Sequence, residues 1–574
     1  MKRKGDLSRV LANLSHGGHA LDDRAMDGDA VEPAEGVGAP LVALSRVVQQ
    51  SPDQAVEVGS TPFGYLFPEL MDVPEAHLPA DLPVTARVKA LNDLGTAMIE
   101  QDADVADLSK NSPIPPIHTY WGQFIDHDLT ANTDRNDVLH IENPEDVEPV
   151  PPSQVLEVLH NLRNPALNLD SVYGDGPFEP VQDEEFVPYD GIKFRLGELS
   201  VSPVGGALIP PVEDRHRDLP RVGPASDPPG ARSRALIGDG RNDENLVIAQ
   251  LHVAFLRFHN AAVDWVRANE PERVGEGQIF LRARDLTRWT YQWLSIHDYL
   301  RTVTAAGTVD RVLVDEHDLL ELDYRGVYMP LEFSAAAFRF GHSMIRGAYD
   351  WNRNFGRPGN SGRSDASFNL LFTFTGKAPN PFFGTPTLPD NWPVEWDRMV
   401  DKNSLFPDRF ARRIDTHFAP PLATMINEGN LPPGLEERVK ALLKHLARRN
   451  LLRGWLLSLP TGQAVADQLG IPKLTAEELQ DGSEEVNAAL TSGGFIEKTP
   501  LWFYVLKEAE VKADGASLGP VGSQIVAATI IGQVRHDRTS YLSQSSWSPS
   551  DGVRLPDGSP IRSIADFLRF AGVL

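Results

Sequence analysis

No cysteine occurs anywhere in the 574-residue sequence. That absence removes disulfides, thiolate-held metals and clusters, and a cysteine nucleophile; any metal must be held by imidazole, carboxylate, amide or carbonyl. Long apolar runs are missing too. No uninterrupted apolar stretch of about 18 or more residues occurs, so no membrane-spanning helix is expected and the chain reads as soluble. Basic residues are in deficit, Lys+Arg 54 against Asp+Glu 80, for a formal net charge of -26. Charge of that sign repels phosphate backbones and anionic lipid, which argues against nucleic acid or bare membrane as partners. Aromatic residues are absent before Phe63. A segment without such anchors buries little surface, so residues 1–60 read as a loosely attached tail, with room for short helices at Ser8–Asn13 and Leu41–Gln50. The opening MKRKGDLSRV has the basic start of a secretion signal but lacks the apolar run that should follow. The compartment therefore stays open between cytoplasm and export by a signal-independent route.

What is present is enough for a large core: 41% hydrophobic residues, with Trp 10 and Phe 25. Gly 46 and Pro 46 point to long structured loops between helices. Residues 61–574 read as one large, mainly α domain, with no β-α-β alternation and no fixed-period repeat. Hydrophobic spacing predicts helices over His118–Leu129, Asp243–Asn269, Phe333–Tyr349 and Leu435–Arg453. The second is apolar nearly all round, as a helix in the middle of a large protein must be. Between the first two, residues 131–157 read as an acidic, proline-punctuated loop. Nothing in the sequence demands an oligomer, and a monomer is expected.

Four short blocks carry candidate chemistry. In WGQFIDHDL (Trp121 to Leu129), Gln123 lies one helical turn before Asp126 and His127, so three polar groups share a face bounded by apolar residues. Polar groups so placed cost free energy unless something satisfies them; a solvated surface face is the plainer account. In GDGRNDEN (Gly238 to Asn245), Arg241 precedes Glu244 by three residues. Carboxylates suit a helix start, but an arginine there opposes the helix dipole, which suggests an anionic or electron-rich partner. FRFGHSMI (Phe338 to Ile345) sets His342 in an apolar segment with Arg339 three residues earlier. A lone histidine in such a setting is usually a satisfied core residue. RRNLLRG (Arg448 to Gly454) spaces Asn450 and Arg453 one turn apart and alone reads as a basic helix end.

Together, and in this order, WGQFIDHD, GDGRNDEN with the downstream HVAFLRFHN, AFRFGH and RNLLRG resemble the signature blocks of the animal haem peroxidases, the peroxidase–cyclooxygenase superfamily. The resemblance covers residues 61–574. It implies a haem peroxidase that reduces hydrogen peroxide and oxidises halides or pseudohalides (bromide, iodide, thiocyanate) or small aromatic donors. It makes His127 the distal base, Arg241 the distal cation that stabilises charge developing on the breaking O–O bond, and Gln123 the partner of a distal water or halide. His342 becomes the proximal iron ligand, and Asn450 the acceptor for its other ring nitrogen. Arg339 and Arg453 suit the haem propionates. Asp126 and Glu244 match carboxylates esterified to haem methyl groups, giving covalently held haem b. Where some relatives carry a methionine that adds a third link, this chain has Asn245, which disfavours chloride as donor. Asp128 matches a calcium ligand, with Asn164, the Ala166 carbonyl, Asn168 and Asp170 as further oxygens; amides at 164 and 168 lower the charge of that set.

Two rival readings use the same scaffold. Fatty-acid dioxygenases and cyclooxygenases place a radical-bearing tyrosine three residues before the proximal histidine, where this chain has Arg339. A non-catalytic haem-binding or adhesion protein would be marked by loss of the distal base or arginine, yet both are present.

Overall fold

The computed structural model describes residues 61–574 except for 80–81, 102–106, 132–144, 146, 175, 178–186, 203–214, 222–234, 315–318, 321–325, 357–363, 377–384, 386, 401–408, 429–435 and 545–546. The expected tail at 1–60 and most of the acidic loop lie outside the described residues. Helices dominate the remainder. Strands are confined to a short three-stranded sheet, in the order His160–Asn161, Thr61–Gly64, Met329–Pro330, and two two-stranded pairings. The mainly α reading is borne out.

At the centre lies the Leu246–Asn269 helix. Asn245 caps it, its side chain accepting from the Ile248 backbone N–H at 3.0 Å. This helix has the length and apolarity of a membrane-crossing segment, but 83% of its most apolar window is buried inside the fold. Its residues serve as core. The Glu276–Leu294 and Ile117–Leu129 helices pack against it. Phe124 stacks on Phe255 at 4.3 Å, Trp121 lies 5.5 Å from Phe255 and from Phe567, and Phe258 stacks on Phe567 at 4.4 Å. Such ring pairs contribute about 0.5–1.5 kcal/mol each beyond their buried area. They fix the rotation of the Ile117–Leu129 helix, and so the directions of Gln123, Asp126 and His127. The same helix also rests on a π-helical turn, Ser295–Leu300: Trp121 Nε1 donates to Ser295 Oγ at 3.2 Å. A Cβ on Gly122 would come within 2.5 Å of the Tyr299 hydroxyl, so this close approach requires glycine.

Two expected helices are broken. Phe333–Tyr349 is instead a short α turn, Leu331–Ser334, followed by a 3-10 segment, Ala337–His342. Ala336 leaves the helical region at φ -133, ψ -77. The break lets Phe338 stack on Phe333 at 4.5 Å, a pairing of residues five apart that a continuous helix would point in different directions. Leu435–Arg453 is two helices, Glu437–Lys444 and Leu446–Leu456, hinged at His445, whose ring Nδ1 accepts from Arg448 N and caps the second. The acidic loop also closes in a helix, Pro152–Val158, with proline in its first turn. Finally, Asp243 does not begin the central helix: Gly240–Asp243 is a separate 3-10 turn.

A buried ionic cluster ties the C-terminal helices to the loop after Ala411. His417 Nε2 lies 3.1 Å from Asp481, and the Lys507 ammonium lies 3.0 Å from Asp481 and 2.8 Å from Glu510. His417, Asp481 and Glu510 stand close enough to share a metal, but Lys507 already supplies the cation. Hydrogen bonding to Asp481 raises His417 from 6.5 to about 9, and burial raises Asp415 to about 7. Each group therefore holds its proton more tightly in the folded chain. The stabilisation from His417 is complete below pH 6.5 and is lost as pH rises through 9. Calorimetry should show Tm falling between those values, and His417→Gln should flatten that limb. A wild-type Tm that stays level from pH 6.5 to 9 would contradict the assignment.

Candidate active site

The Ile117–Leu129 helix brings Gln123, Asp126 and His127 to one buried face, and the chain around the Gly240–Asp243 turn meets them there. Gln123 donates through Nε2 to Glu244 Oε1, and Asn245 donates to Gln123 Oε1 at 3.2 Å. His127 Nε2 lies 4.0 Å from the same Glu244 oxygen. Its other nitrogen, Nδ1, is 2.8 Å from Asn242 Oδ1, and Asn242 Nδ2 is 3.0 Å from His252 Nδ1. With the amide in this orientation its nitrogen donates to His252 and its oxygen accepts from His127 Nδ1–H, which leaves Nε2 of His127 as a lone pair. Burial, and then Arg241, push His127 down to about 3; burial likewise pushes His252 to about 3. Both rings are neutral at physiological pH.

Arg241 is 3% exposed and heavily tethered. Its Nη2 donates to the His127 carbonyl at 2.8 Å and the Thr130 carbonyl at 2.6 Å, and Nε and Nη2 both reach Asp239. The guanidinium is thereby fixed against the helix that carries His127.

On the opposite side, the 3-10 segment Ala337–His342 packs against the Ile117–Leu129 helix. Asn450 Nδ2 lies 2.9 Å from His342 Nδ1. The expected pair is present but with its polarity reversed: here the amide donates to the ring. An amide turned end for end has the same shape and would accept instead. Burial, then Arg339, hold His342 well below its ordinary value, so it too is neutral. Arg339 donates through Nε to the Ser334 carbonyl at 2.8 Å, and its own carbonyl accepts from Trp502 Nε1 at 3.2 Å. Arg453 and Arg449 complete a buried group of guanidiniums; burial and then Arg339 lower Arg453 to about 9. Asp126 joins the two sides. Its carboxylate lies 3.8 Å from Arg339 Nη1, and its charge is felt by both His127 and His342. Burial alone would raise Asp126, but Arg339 and Arg241 more than offset it and keep it ionised.

The residues expected to bind a cation are partly assembled. Asp128 is fully buried and accepts from Leu169 N–H and Ser171 Oγ–H, both at 3.1 Å. Burial and then the nearby Asp170 raise it to about 7, and burial also raises Asp170. Leu167 and Leu169 adopt positive φ, 52 and 64, a conformation that non-glycine residues hold only when the surroundings impose it. Asn168 Oδ1 accepts from Asp170 N–H at 3.2 Å, and the Ala166 carbonyl accepts from Gln292 Nε2 at 3.1 Å, so these two oxygens face protein donors. Asn164 contributes a backbone carbonyl, which accepts from Ala166 N–H at 2.8 Å.

Sequence reasoning missed Asn242, Asp239, His252, Arg163 and Arg449. The first two lie within two positions of Arg241, and that proximity was the only signal. His252 sits two turns into an apolar helix and gave none.

The Animal haem peroxidase family profile matches residues 192–376, a span that holds Arg241, Glu244, Arg339 and His342. Among curated proteins, the chain is 25% identical over 282 residues to a peroxidase-like protein of Margaritifera margaritifera, covering 45% of this chain and 35% of that protein. It is 23% identical over 315 residues to heme peroxidase 2 of Caenorhabditis elegans, covering 53% and 40%. The matches thus span well under half the length of these relatives. In fold it is similar to peroxidase A from Dictyostelium discoideum, with a TM-score of 0.53 at 15% identity, covering 89% of this chain and 93% of that one. Across residues 192–376 the chain is thus similar to the animal haem peroxidases, and its fold is similar to that of one of them.

Proposed function

We propose that the chain is a peroxidase: it reduces hydrogen peroxide and oxidises bromide, iodide, thiocyanate or small aromatic donors, using one haem b held between His127 and His342. The observation that carries this is the pairing of two buried, neutral imidazoles, on elements packed against one another, whose shared charged neighbour is Asp126. The donor set fits a haem. A neutral imidazole ligates iron, and His342 would do so through Nε2 with Asn450 turned to accept from Nδ1–H. The buried guanidiniums of Arg339 and Arg453 lie close enough for Arg339 to depress the proton affinity of Arg453, a pair of cations that suits two propionates. Asp126 and Glu244 are the carboxylates that would form esters with haem methyl groups. Calcium would be held by Asp128, Asn164, the Ala166 carbonyl, Asn168 and Asp170, and the two buried, upshifted carboxylates support a cation there.

When bound, haem supplies an iron that takes up peroxide and a macrocycle that stores oxidising equivalents. The chain's own groups manage protons and charge. His127 is neutral, so Nε2 takes the proton from one peroxide oxygen and returns it to the departing one. Asn242 keeps that lone pair directed into the pocket. Arg241 stabilises negative charge on the oxygen that leaves, at no cost in reorganisation because it is already tethered. Asn245 spends its side chain on capping the central helix and on Gln123, so the third covalent link of some relatives cannot form; this favours donors more easily oxidised than chloride.

Haem-loaded chain should oxidise guaiacol or tetramethylbenzidine with hydrogen peroxide, and His127→Ala should lower kcat by about 10²–10⁴. Normal haem content with no turnover would overturn the peroxidase reading. Haem should stay with the wild-type chain through acid acetone and denaturing electrophoresis, and Asp126→Ala with Glu244→Ala should release it; wild-type haem that washes out defeats the ester links. Arg453→Met should lower the haem content of the folded chain, and wild-type haem content in that variant would remove Arg453 from the propionate site.

A further inference from the structure

Arg241 can act only if its guanidinium is held at a fixed place, and the residue two positions before it does the holding. Asp239 Oδ1 accepts from the Arg241 backbone N–H at 2.9 Å and from Nε at 3.1 Å, while Oδ2 accepts from Nη2 at 2.7 Å. Side-on contact of this kind occupies the Nε–Nη2 edge. The other hydrogen of Nη2 is shared between the His127 and Thr130 carbonyls. Among the described residues, Nη1 alone has no hydrogen bond drawn to it, so the clamp selects which edge of the guanidinium is offered to a bound anion.

Asp239 cannot easily turn away. Arg163 Nη2 also donates to its Oδ2 and reaches the Gly238 carbonyl at 3.3 Å. Gly238 in turn lies against the chain at Asp170 and Ser171, whose carbonyls a Cβ there would meet at 2.8 Å. Two guanidiniums thus share one carboxylate that is 2% exposed, at the junction between the Asp170–Tyr173 turn and the turn that carries Arg241.

We propose that Asp239 is the positioning residue of Arg241: its charge, rather than its capping of the turn, fixes the guanidinium edge that meets an anion in the distal pocket. This rests on the peroxidase reading. Capping and charge can be separated, because Asp239→Asn retains an oxygen able to accept from the Arg241 backbone while removing the charge that holds Nε and Nη2.

The test uses the full chain in two states. In the haem-loaded ferric form, fluoride affinity measured by absorption titration reports how well distal N–H groups hold an iron-bound anion, and it needs no turnover. Asp239→Asn should weaken fluoride at least tenfold with haem content unchanged, Arg241→Lys should weaken it as much or more, and the double variant should be no worse than Arg241→Lys. Wild-type fluoride affinity in Asp239→Asn overturns the proposal, as do losses that multiply in the double variant. In the haem-free form, a urea double-mutant cycle between positions 239 and 241 should show coupling; independence overturns the clamp whatever the haem does. A wild-type chain that takes up no haem instead brings down the peroxidase reading, and the catalytic meaning of the clamp with it.

Discussion

The site depends on one charge constraint. Arg241, Arg339, Arg449 and Arg453 are all buried, and the carboxylate whose influence reaches both imidazoles is Asp126. Burying a guanidinium is costly unless an anion accompanies it. Arg449 has Glu428 at 3.3 Å and Arg241 has Asp239, but Arg339 has Asp126 only at 3.8 Å. Guanidiniums are therefore crowded at the centre, and Arg453, pushed down to about 9 by burial and then by Arg339, registers that crowding most plainly. The same desolvation that strains the arginines keeps His127 and His342 neutral, the state a base and a metal ligand both require.

Placement of these groups is delegated to short irregular elements. The Gly240–Asp243 turn meets two requirements within four residues: Asp239 at its start holds the Arg241 guanidinium, and Asn242 within it bonds the His127 ring. Both side chains act through groups anchored elsewhere, Arg163 beyond Asp239 and His252 beyond Asn242. The long apolar helices contribute rigidity. Aromatic stacking on Phe255 and Phe567 sets the rotation of the helix that presents His127, and the glycine at 122 lets the π-turn come close enough to support it.

How much of this could be read from the residues differs by element. The helix bearing His127 was legible because its apolar period is unbroken and a proline run fixes its start. So was the central helix, apart from its first three positions, which a carboxylate-rich start disguised as helix. The breaks at Ala336 and His445 carry no proline or glycine; they follow from tertiary demands, a ring stack in one case and a capping imidazole in the other. Asn450 was legible as a partner of His342 but not its orientation, which the identical shape of an amide's two ends conceals. Asn242 and Asp239 were hidden for a different reason: both read as ordinary turn and cap residues, which they also are, and only the fold shows that their second hydrogen-bonding edge faces the base and the cation.

The constraint and the proposed covalent chemistry also bear on one another. If Asp126 becomes an ester, it surrenders a negative charge that acts on both His127 and His342, and Arg339 loses its nearest carboxylate. Two propionates meeting Arg339 and Arg453 would return more charge than the ester removes. Under the proposed function the arginines would then do more than anchor the propionates: they would make loss of the Asp126 charge tolerable. Glu244 differs: it meets Gln123 and His127, while Asp126 lies 3.8 Å from the Arg339 guanidinium. The two carboxylates are alike in chemistry and unlike in surroundings, and it is at Asp126 that the guanidinium cluster would bear most on the proposed ester.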